Sequence, residues 1–255
     1  MNNRIEIVLF ISLLVNIFFV LMGALFIAKK GGVYYWADKI NNIVNANNKN
    51  GKNTYPPYYF HQKSQFEILP NSDSAIIFVG DSITDECEWA ELLGNPNVKN
   101  RGISGDTIDR ILNRLDEIVE SKPKNIFLMV GINDFLNSVK SVKKTLEDYK
   151  KLLLKIREKT PNTQVFIQSV LPVNNKINKF WLNTDTVIEL NDSLKELAKE
   201  LSFEYINLFS HLADSQNQLD ARYTLDGVHL NGQAYLVWKE VIEKCVLDPE
   251  SRNRL

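Results

Sequence analysis

Cysteine, histidine and net charge are all scarce in this chain of 255 residues. The two cysteines, Cys87 and Cys245, lack the spacing of a metal site and are too few for a disulfide scaffold. We interpret them as two buried thiols, with a long-range disulfide as the alternative. The formal net charge of −1 leaves no excess of basic residues. A nucleic-acid partner and a structural metal are therefore not expected. We also expect no cofactor.

One stretch near the amino terminus has no charge at all. Residues 7–28 are apolar except for Ser12, Asn16 and Gly23, and a helix needs about 20 such residues to cross a bilayer. Phe26 stands where a signal-peptide cleavage site needs a small residue. We predict an uncleaved, single-pass transmembrane helix, with a cleaved signal or a buried soluble helix as alternatives. The lysines that follow the run would hold the folded domain inside the cell, because positive charge favours the cytoplasmic side. We nevertheless expect the folded domain outside the cell and leave its orientation open.

Polar residues dominate the region after this run. The segment 41–53 is rich in Asn and Lys and offers little apolar surface to offset the entropy of ordering. The aromatic cluster YPPYYF at 55–60 interrupts it, and we expect the cluster to pack on a domain edge or near a membrane surface. The predicted organisation starts with a tail at 1–6, an anchor at 7–28 and a flexible tether at 29–65. A folded domain at 66–248 and a second tail at 249–255 follow.

Short apolar runs alternate with longer stripes of helical period in the remainder of the chain. This alternation predicts an α/β domain with a parallel sheet covered by helices on both faces. The predicted strands are 75–79, 98–100, 125–130, 164–171 and 203–208, and the helical stripes are 108–119, 142–156, 187–201 and 234–245. In such sheets the ligand site lies beyond the carboxyl ends of the strands.

Three predicted strands end in residues that suit ester chemistry. Ser82 follows the first strand, Gly102 the second and Asn133 the third. A serine hydroxyl can attack a carbonyl carbon. The backbone N–H groups of Ser82 and Gly102 and the side-chain amide of Asn133 can donate to the oxyanion that forms. We predict that these residues form an oxyanion hole.

Only three histidines are available as a base. His61 falls in the predicted tether, and we interpret His211 as structural or surface-exposed. His229 lies in a glycine-containing loop and has a carboxylate, Asp226, three residues before it. An aspartate in that place can fix the imidazole tautomer and stabilise the imidazolium. We predict Ser82, His229 and Asp226 as the catalytic residues.

Four segments together resemble the ordered blocks of the SGNH (GDSL-type) hydrolase family. They are the GDSIT segment at 80–84, Gly102, the GIND segment at 131–134 and the DGVH segment at 226–229. The resemblance implies a flavodoxin-like, three-layer α/β/α fold around a five-stranded parallel sheet. It also implies the nucleophile, base and oxyanion donors named above. GDSIT in place of GDSL is similar to the small-ester and acetyl esterases of that family.

We expect a serine esterase that removes small acyl groups, above all acetyl, from a carbohydrate or cell-envelope substrate through an acyl-enzyme on Ser82. A lipid or lysophospholipase-like esterase, an O-acyltransferase using the same site and a non-catalytic binding module are the alternatives. The loop 172–185 carries Phe180 and Trp181, and Tyr223 precedes Asp226. We predict that these aromatic residues contact the substrate, although they are equally suited to a core.

Overall fold

The computed structural model describes residues 2–29, 55–137 and 140–247. The chain divides into two units, Met1–Thr54 and Tyr55–Leu255. The described part of the first unit is one helix, α1, Asn2–Lys29. Within the described residues, no helix combines the length and the apolar character that a bilayer span requires. The transmembrane anchor predicted at 7–28 is therefore not supported, and the location of the domain outside the cell stays a prediction.

The second unit is built around a five-stranded sheet in the order β2-β1-β3-β4-β5, in which every neighbouring pair is parallel. This confirms the predicted sheet. All residues of β1 and β3 are buried, as expected for central strands covered on both faces. The strands are β1 Ile76–Gly80, β2 Val98–Gly102, β3 Asn125–Met129, β4 Gln164–Gln168 and β5 Glu204–Ile206.

Helices connect and follow the strands. The stripe predicted at 108–119 forms two short helices, because the chain leaves helical geometry at Arg114. The helices of this unit are α2 Pro57–Ile68, α3 Ser82–Asp85, α4 Trp89–Leu92, α5 Ile108–Asn113, α6 Leu115–Val119, α7 Ile132–Leu136, α8 Val142–Lys159, α9 Thr184–Glu200, α10 Phe209–Leu212 and α11 Gly232–Leu247.

A stack of aromatic rings fixes the register of the central strands. Phe78 of β1 lies opposite Phe127 of β3, which lies opposite Phe166 of β4. The ring centroids are 4.8 and 4.4 Å apart, and Trp89 covers Phe78 at 4.2 Å. Aromatic pairs across neighbouring strands stabilise one register over its alternatives.

The tether predicted at 29–65 overlaps helix α2, so the boundary predicted at 66 is wrong. Pro57 starts the helix, a position where its missing N–H costs nothing. Tyr59 is fully buried, and its hydroxyl donates to the carbonyl of Arg110 and accepts from Nδ2 of Asn113, each at 3.0 Å. The aromatic cluster thus packs on the domain, and the folded unit begins at Tyr55. The predicted tail at 249–255 lies outside the described residues.

Cys87 is a buried, free thiol, which confirms the prediction for that residue. Burial, reinforced by the charge of Glu88, raises the pKa of Cys87 to about 12. The side chain of Cys245 lies outside the described residues.

Replacing Tyr59 tests whether α2 belongs to the folded domain. We expect Tyr59→Ala to lower the free energy of unfolding by about 3 kcal/mol or more, because it empties a fully buried aromatic site. The neighbouring Phe60 is 53% exposed, and we expect Phe60→Ala to cost about 1 kcal/mol at most. Urea denaturation of the full chain measures both values. Equal, small losses would contradict the placement of α2.

Candidate active site

The turn from β1 into α3 presents Ser82. The strand ends at Gly80, and Asp81 caps the short helix by accepting the N–H of Ile83 at 3.1 Å. Burial raises the pKa of Asp81 to about 7, against the hydrogen bond from Ile83 that lowers it. Asp81 therefore has a local structural role, while Ser82 starts the helix with its side chain at the carboxyl edge of the sheet.

The structure brings together the three residues predicted to be catalytic. Nε2 of His229 lies 3.0 Å from Oγ of Ser82. Nδ1 of the same ring lies 2.6 Å from Oδ2 of Asp226. The other carboxylate oxygen of Asp226 accepts the backbone N–H groups of Val228 and His229, each at 2.9 Å. A hydroxyl, an imidazole and a carboxylate thus form a continuous hydrogen-bonded chain.

The carboxylate of Asp226 is strongly favoured in its ionised form. Burial opposes ionisation, but the hydrogen bonds from the His229 ring and from the two backbone N–H groups outweigh it. They lower the pKa of Asp226 to about 2. Oε1 of Glu86 lies 3.8 Å from Nε2 of His229. Negative charge on these carboxylates stabilises the positive charge that the imidazole gains when it takes a proton.

Gly102 does not have the role predicted for it. Its N–H donates to Oδ1 of Asn100 at 2.8 Å, so this amide is already engaged. A Cβ at Gly102 would lie 2.3 Å from the backbone nitrogen of Asp85. The position therefore requires glycine because α3 packs directly on the end of β2.

Asn133 is well placed to donate. It lies in the first turn of α7 and is buried. One hydrogen of its Nδ2 is donated to the carbonyl of Asp106 at 3.1 Å, and its Oδ1 accepts from Asn137 at 2.9 Å. These two bonds fix the orientation of the amide, and the second Nδ2 hydrogen has no acceptor among the residues that the structure describes.

Gly105, which lies in the loop 103–107 after β2, was not among the residues predicted from the strand ends. Its φ of +83° favours glycine. On one side, Ser104 donates to Asp85 of α3, and on the other the carbonyl of Asp106 binds Asn133. Among the described residues, the N–H groups of Gly105 and Ser82 have no acceptor. The Ser-Gly-Asp sequence, which favours a turn, was the available signal.

The aromatic residues predicted to contact substrate occupy different environments. Phe180 lies against the loop 226–229, since a Cβ at Gly227 would come within 3.1 Å of its ring. Trp181 is 86% exposed, and Tyr223 packs partly against the core. Their contacts with substrate stay predictions. In the described parts of the chain, no group of three or more His, Cys, Asp and Glu side chains could hold a metal ion.

A separate cavity of about 700 Å³ lies beside β5, and its lining contains none of the three residues predicted to be catalytic. His211 is among the lining residues and is exposed, in agreement with its interpretation as a structural or surface residue. The candidate active site is therefore identified by the hydrogen bonds that join Ser82, His229 and Asp226 at the carboxyl edge of the sheet. The size of a cavity does not identify it.

Comparison with known proteins gives a consistent picture. Residues 78–237 match the model of the GDSL-like lipase/acylhydrolase family. The platelet-activating factor acetylhydrolase IB subunit alpha2 of Rattus norvegicus is 28% identical over 185 residues, which cover 69% of this chain and 78% of that protein. An N-acylneuraminate cytidylyltransferase of Escherichia coli is 27% identical over 183 residues, which cover 69% of this chain but only 41% of that protein.

A solved structure supports the fold. A GDSL-like lipase from Bacteroides thetaiotaomicron superposes with a TM-score of 0.64 at 20% identity, covering 74% of this chain and 96% of that one. The family match contains Ser82 and His229, which the structure joins by a hydrogen bond. The chain therefore belongs to the GDSL-like lipase/acylhydrolase family and is a carboxylic ester hydrolase.

Proposed function

We propose that this enzyme is a serine esterase that removes small acyl groups, acetyl above all, from a carbohydrate or cell-envelope substrate. The observation that carries the catalytic assignment is the hydrogen-bonded chain from Ser82 through His229 to Asp226, with distances of 3.0 and 2.6 Å. These distances are those of a nucleophile bound to its base and of a base oriented by a carboxylate.

The first half of the proposed reaction acylates the enzyme. Nε2 of His229 takes the proton of Ser82 while Oγ forms a bond to the ester carbonyl carbon. The carbonyl π electrons move to oxygen, and the oxyanion accepts hydrogen bonds from the N–H of Ser82, the N–H of Gly105 and Nδ2 of Asn133. When the tetrahedral intermediate collapses, the alcohol leaves with the proton from His229.

The second half regenerates the serine. His229 takes a proton from a water molecule as the water attacks the acyl carbon, and the same three donors hold the oxyanion. The carboxylic acid leaves as the proton returns to Oγ of Ser82. Asp226 stays ionised throughout and keeps Nδ1 of the imidazole protonated, so that Nε2 is free to accept.

Two observations support a small acyl group on a larger alcohol. The relative with 28% identity is named an acetylhydrolase. The side chains of His229 and Asp226 are 37% and 50% exposed, so the catalytic residues open to solvent. An open site leaves room for a bulky alcohol such as a glycan.

A lipid esterase is the second candidate, and exposed apolar residues favour it. Trp181 is 86% exposed and Leu225, which directly precedes Asp226, is 90% exposed. Large apolar side chains in such positions can contact acyl chains or a lipid surface.

A panel of p-nitrophenyl esters tests both candidates. We expect kcat/KM of the full chain to be highest for the acetate and to decrease for the butyrate and octanoate. Ser82→Ala should lose at least about 10³-fold in kcat on every ester. Ser193→Ala, which alters a half-buried serine of α9, is the matched control and should keep full activity. Highest turnover of the octanoate would favour the lipid esterase, and turnover by Ser82→Ala equal to that of the native enzyme would eliminate the proposed mechanism.

The role of Asn133 can be measured separately. We expect Asn133→Ala to lower kcat by about 10²- to 10³-fold with little change in KM, because the lost donor acts mainly in the transition state. Steady-state kinetics on the acetate ester gives both constants. Asn162→Ala changes an exposed residue just before β4, at the opposite edge of the sheet, and should be neutral. A loss confined to KM would show that Asn133 binds substrate and is not an oxyanion donor.

Acidification should reduce activity through a single proton. Because Asp226 has a pKa of about 2, it stays ionised over the whole range from pH 4 to 8. Asp226 therefore contributes no proton to the pH profile in this range, and kcat/KM should fall about tenfold per pH unit at the acidic limit, as for the loss of a single general base. Asp81→Asn should leave this slope unchanged. A slope of two that becomes one in Asp81→Asn would contradict the assignment, since it would give the buried carboxyl a part in the chemistry.

A further inference from the structure

Helix α2 and Tyr55 lie before residue 78, where the family match begins. Four of the aromatic side chains in this segment each contact a residue that holds the loop 103–107, which we call the oxyanion loop. We propose that α2 positions the oxyanion loop, so that this segment contributes to catalysis without touching the substrate. The inference rests on the proposed function, because it assigns Gly105 of that loop as an oxyanion donor.

The first contact runs through Asp85, the last residue of α3. Oδ2 of Asp85 accepts the hydroxyl of Tyr58 at 2.9 Å. The same oxygen accepts the backbone N–H of Ser104 at 3.0 Å and its hydroxyl at 2.6 Å. One carboxylate oxygen thus joins α2, the helix that carries the nucleophile and the start of the oxyanion loop.

The second contact runs through Arg110 of α5. Nη1 of Arg110 donates to the carbonyl of Gly105 at 2.7 Å. The hydroxyl of Tyr59 donates to the backbone carbonyl of Arg110 at 3.0 Å. The ring of Tyr55 lies 5.6 Å from the Arg110 guanidinium carbon, within the range of a cation–π contact. Tyr59 therefore binds the backbone of Arg110, and Tyr55 contacts its side chain.

The third contact runs through buried arginines. Nε of Arg114 binds Oδ2 of Asp106 at 2.8 Å, and Nη2 of Arg114 donates to the carbonyl of Arg101 at 2.7 Å. The ring of Phe66 lies 4.7 Å from the guanidinium carbon of Arg101 and 5.9 Å from that of Arg114. Ser104, Gly105 and Asp106, the three central residues of the oxyanion loop, are thus each hydrogen-bonded to a residue that Tyr55 or α2 contacts.

These ties bear on the direction of one N–H group. The N–H of Gly105 belongs to the peptide between Ser104 and Gly105. The N–H of Ser104 lies in the preceding peptide and is held by Asp85, while the carbonyl of Gly105 lies in the following peptide and is held by Arg110. Rotation of the donor peptide is therefore restrained from both sides, although glycine itself is permissive. Loss of one restraint should misdirect the donor and slow catalysis while ground-state binding is kept.

Tyr58→Phe tests the inference in the full chain, because it removes only a hydroxyl from a side chain that is 41% exposed. We expect kcat on the acetate ester to fall about threefold to tenfold, with KM and the unfolding temperature unchanged. The inhibition constant of an alkyl boronic acid, which forms a tetrahedral adduct on Ser82, should rise by the same factor. Tyr205→Phe, in the remote strand β5, removes a hydroxyl that pairs with Ser169 and should change none of these values.

A double-mutant cycle identifies the route. If Tyr58 acts through Asp85, Tyr58→Phe should cause no further loss of kcat in an Asp85→Ala background. Additive losses, a loss in KM alone, or wild-type kcat and boronate affinity in Tyr58→Phe would each overturn the inference. Wild-type kcat in Tyr58→Phe beside an inactive Ser82→Ala would sink this inference alone, whereas an active Ser82→Ala would sink the proposed function.

Discussion

The site depends on the parallel pairing of β1 with β2 and β3. Gly80 at the end of β1 lies opposite Gly102 on one side and Met129 on the other, so the loops that follow all leave one edge of the sheet together. A slip of one residue would move the strand by about 3.3 Å and turn its side chains to the other face. Such a shift would break the 3.0 Å contact between Ser82 and His229. The stacked rings of the core therefore help to determine the geometry of the candidate active site.

Near the carboxyl edge of the sheet, the domain buries charged side chains where apolar side chains are usual. Arg114 has no exposed side-chain surface and binds Asp106 and Glu117, both of which are also almost fully buried. Burial raises the pKa of Asp106 to about 6, although Arg114 opposes the rise. Removal of one partner from a buried ion pair costs about 3–5 kcal/mol, whereas the intact pair adds little net stability. The ion pair instead positions the backbone, because Arg114 also binds the carbonyl of Arg101 and so fixes the end of β2 next to the loop of Asp106.

Much of the fold and most of the site could be predicted because their signals are local. Apolar runs of strand length mark the sheet, and Ser82, Asp226 and His229 stand in short segments whose composition is unusual. Gly102 and Gly105 cannot be distinguished in this way, because the hydrogen bond from Gly102 to Asn100 exists only in the folded chain. Helix α2 was missed for a similar reason. Its sequence has little helical preference, and its helix is stabilised by the burial of Tyr59 against α5.

Asp226 and His229 are only three residues apart, and the backbone N–H groups of Val228 and His229 donate to the same carboxylate that contacts the imidazole. Their mutual geometry is thus encoded within one short loop and does not rely on the sheet. A 2.7 Å backbone bond from the N–H of Asn174 to the carbonyl of Gly227 joins that loop to the segment after β4. A small displacement of the whole loop would consequently leave the contact between Asp226 and His229 intact and change the distance from His229 to Ser82.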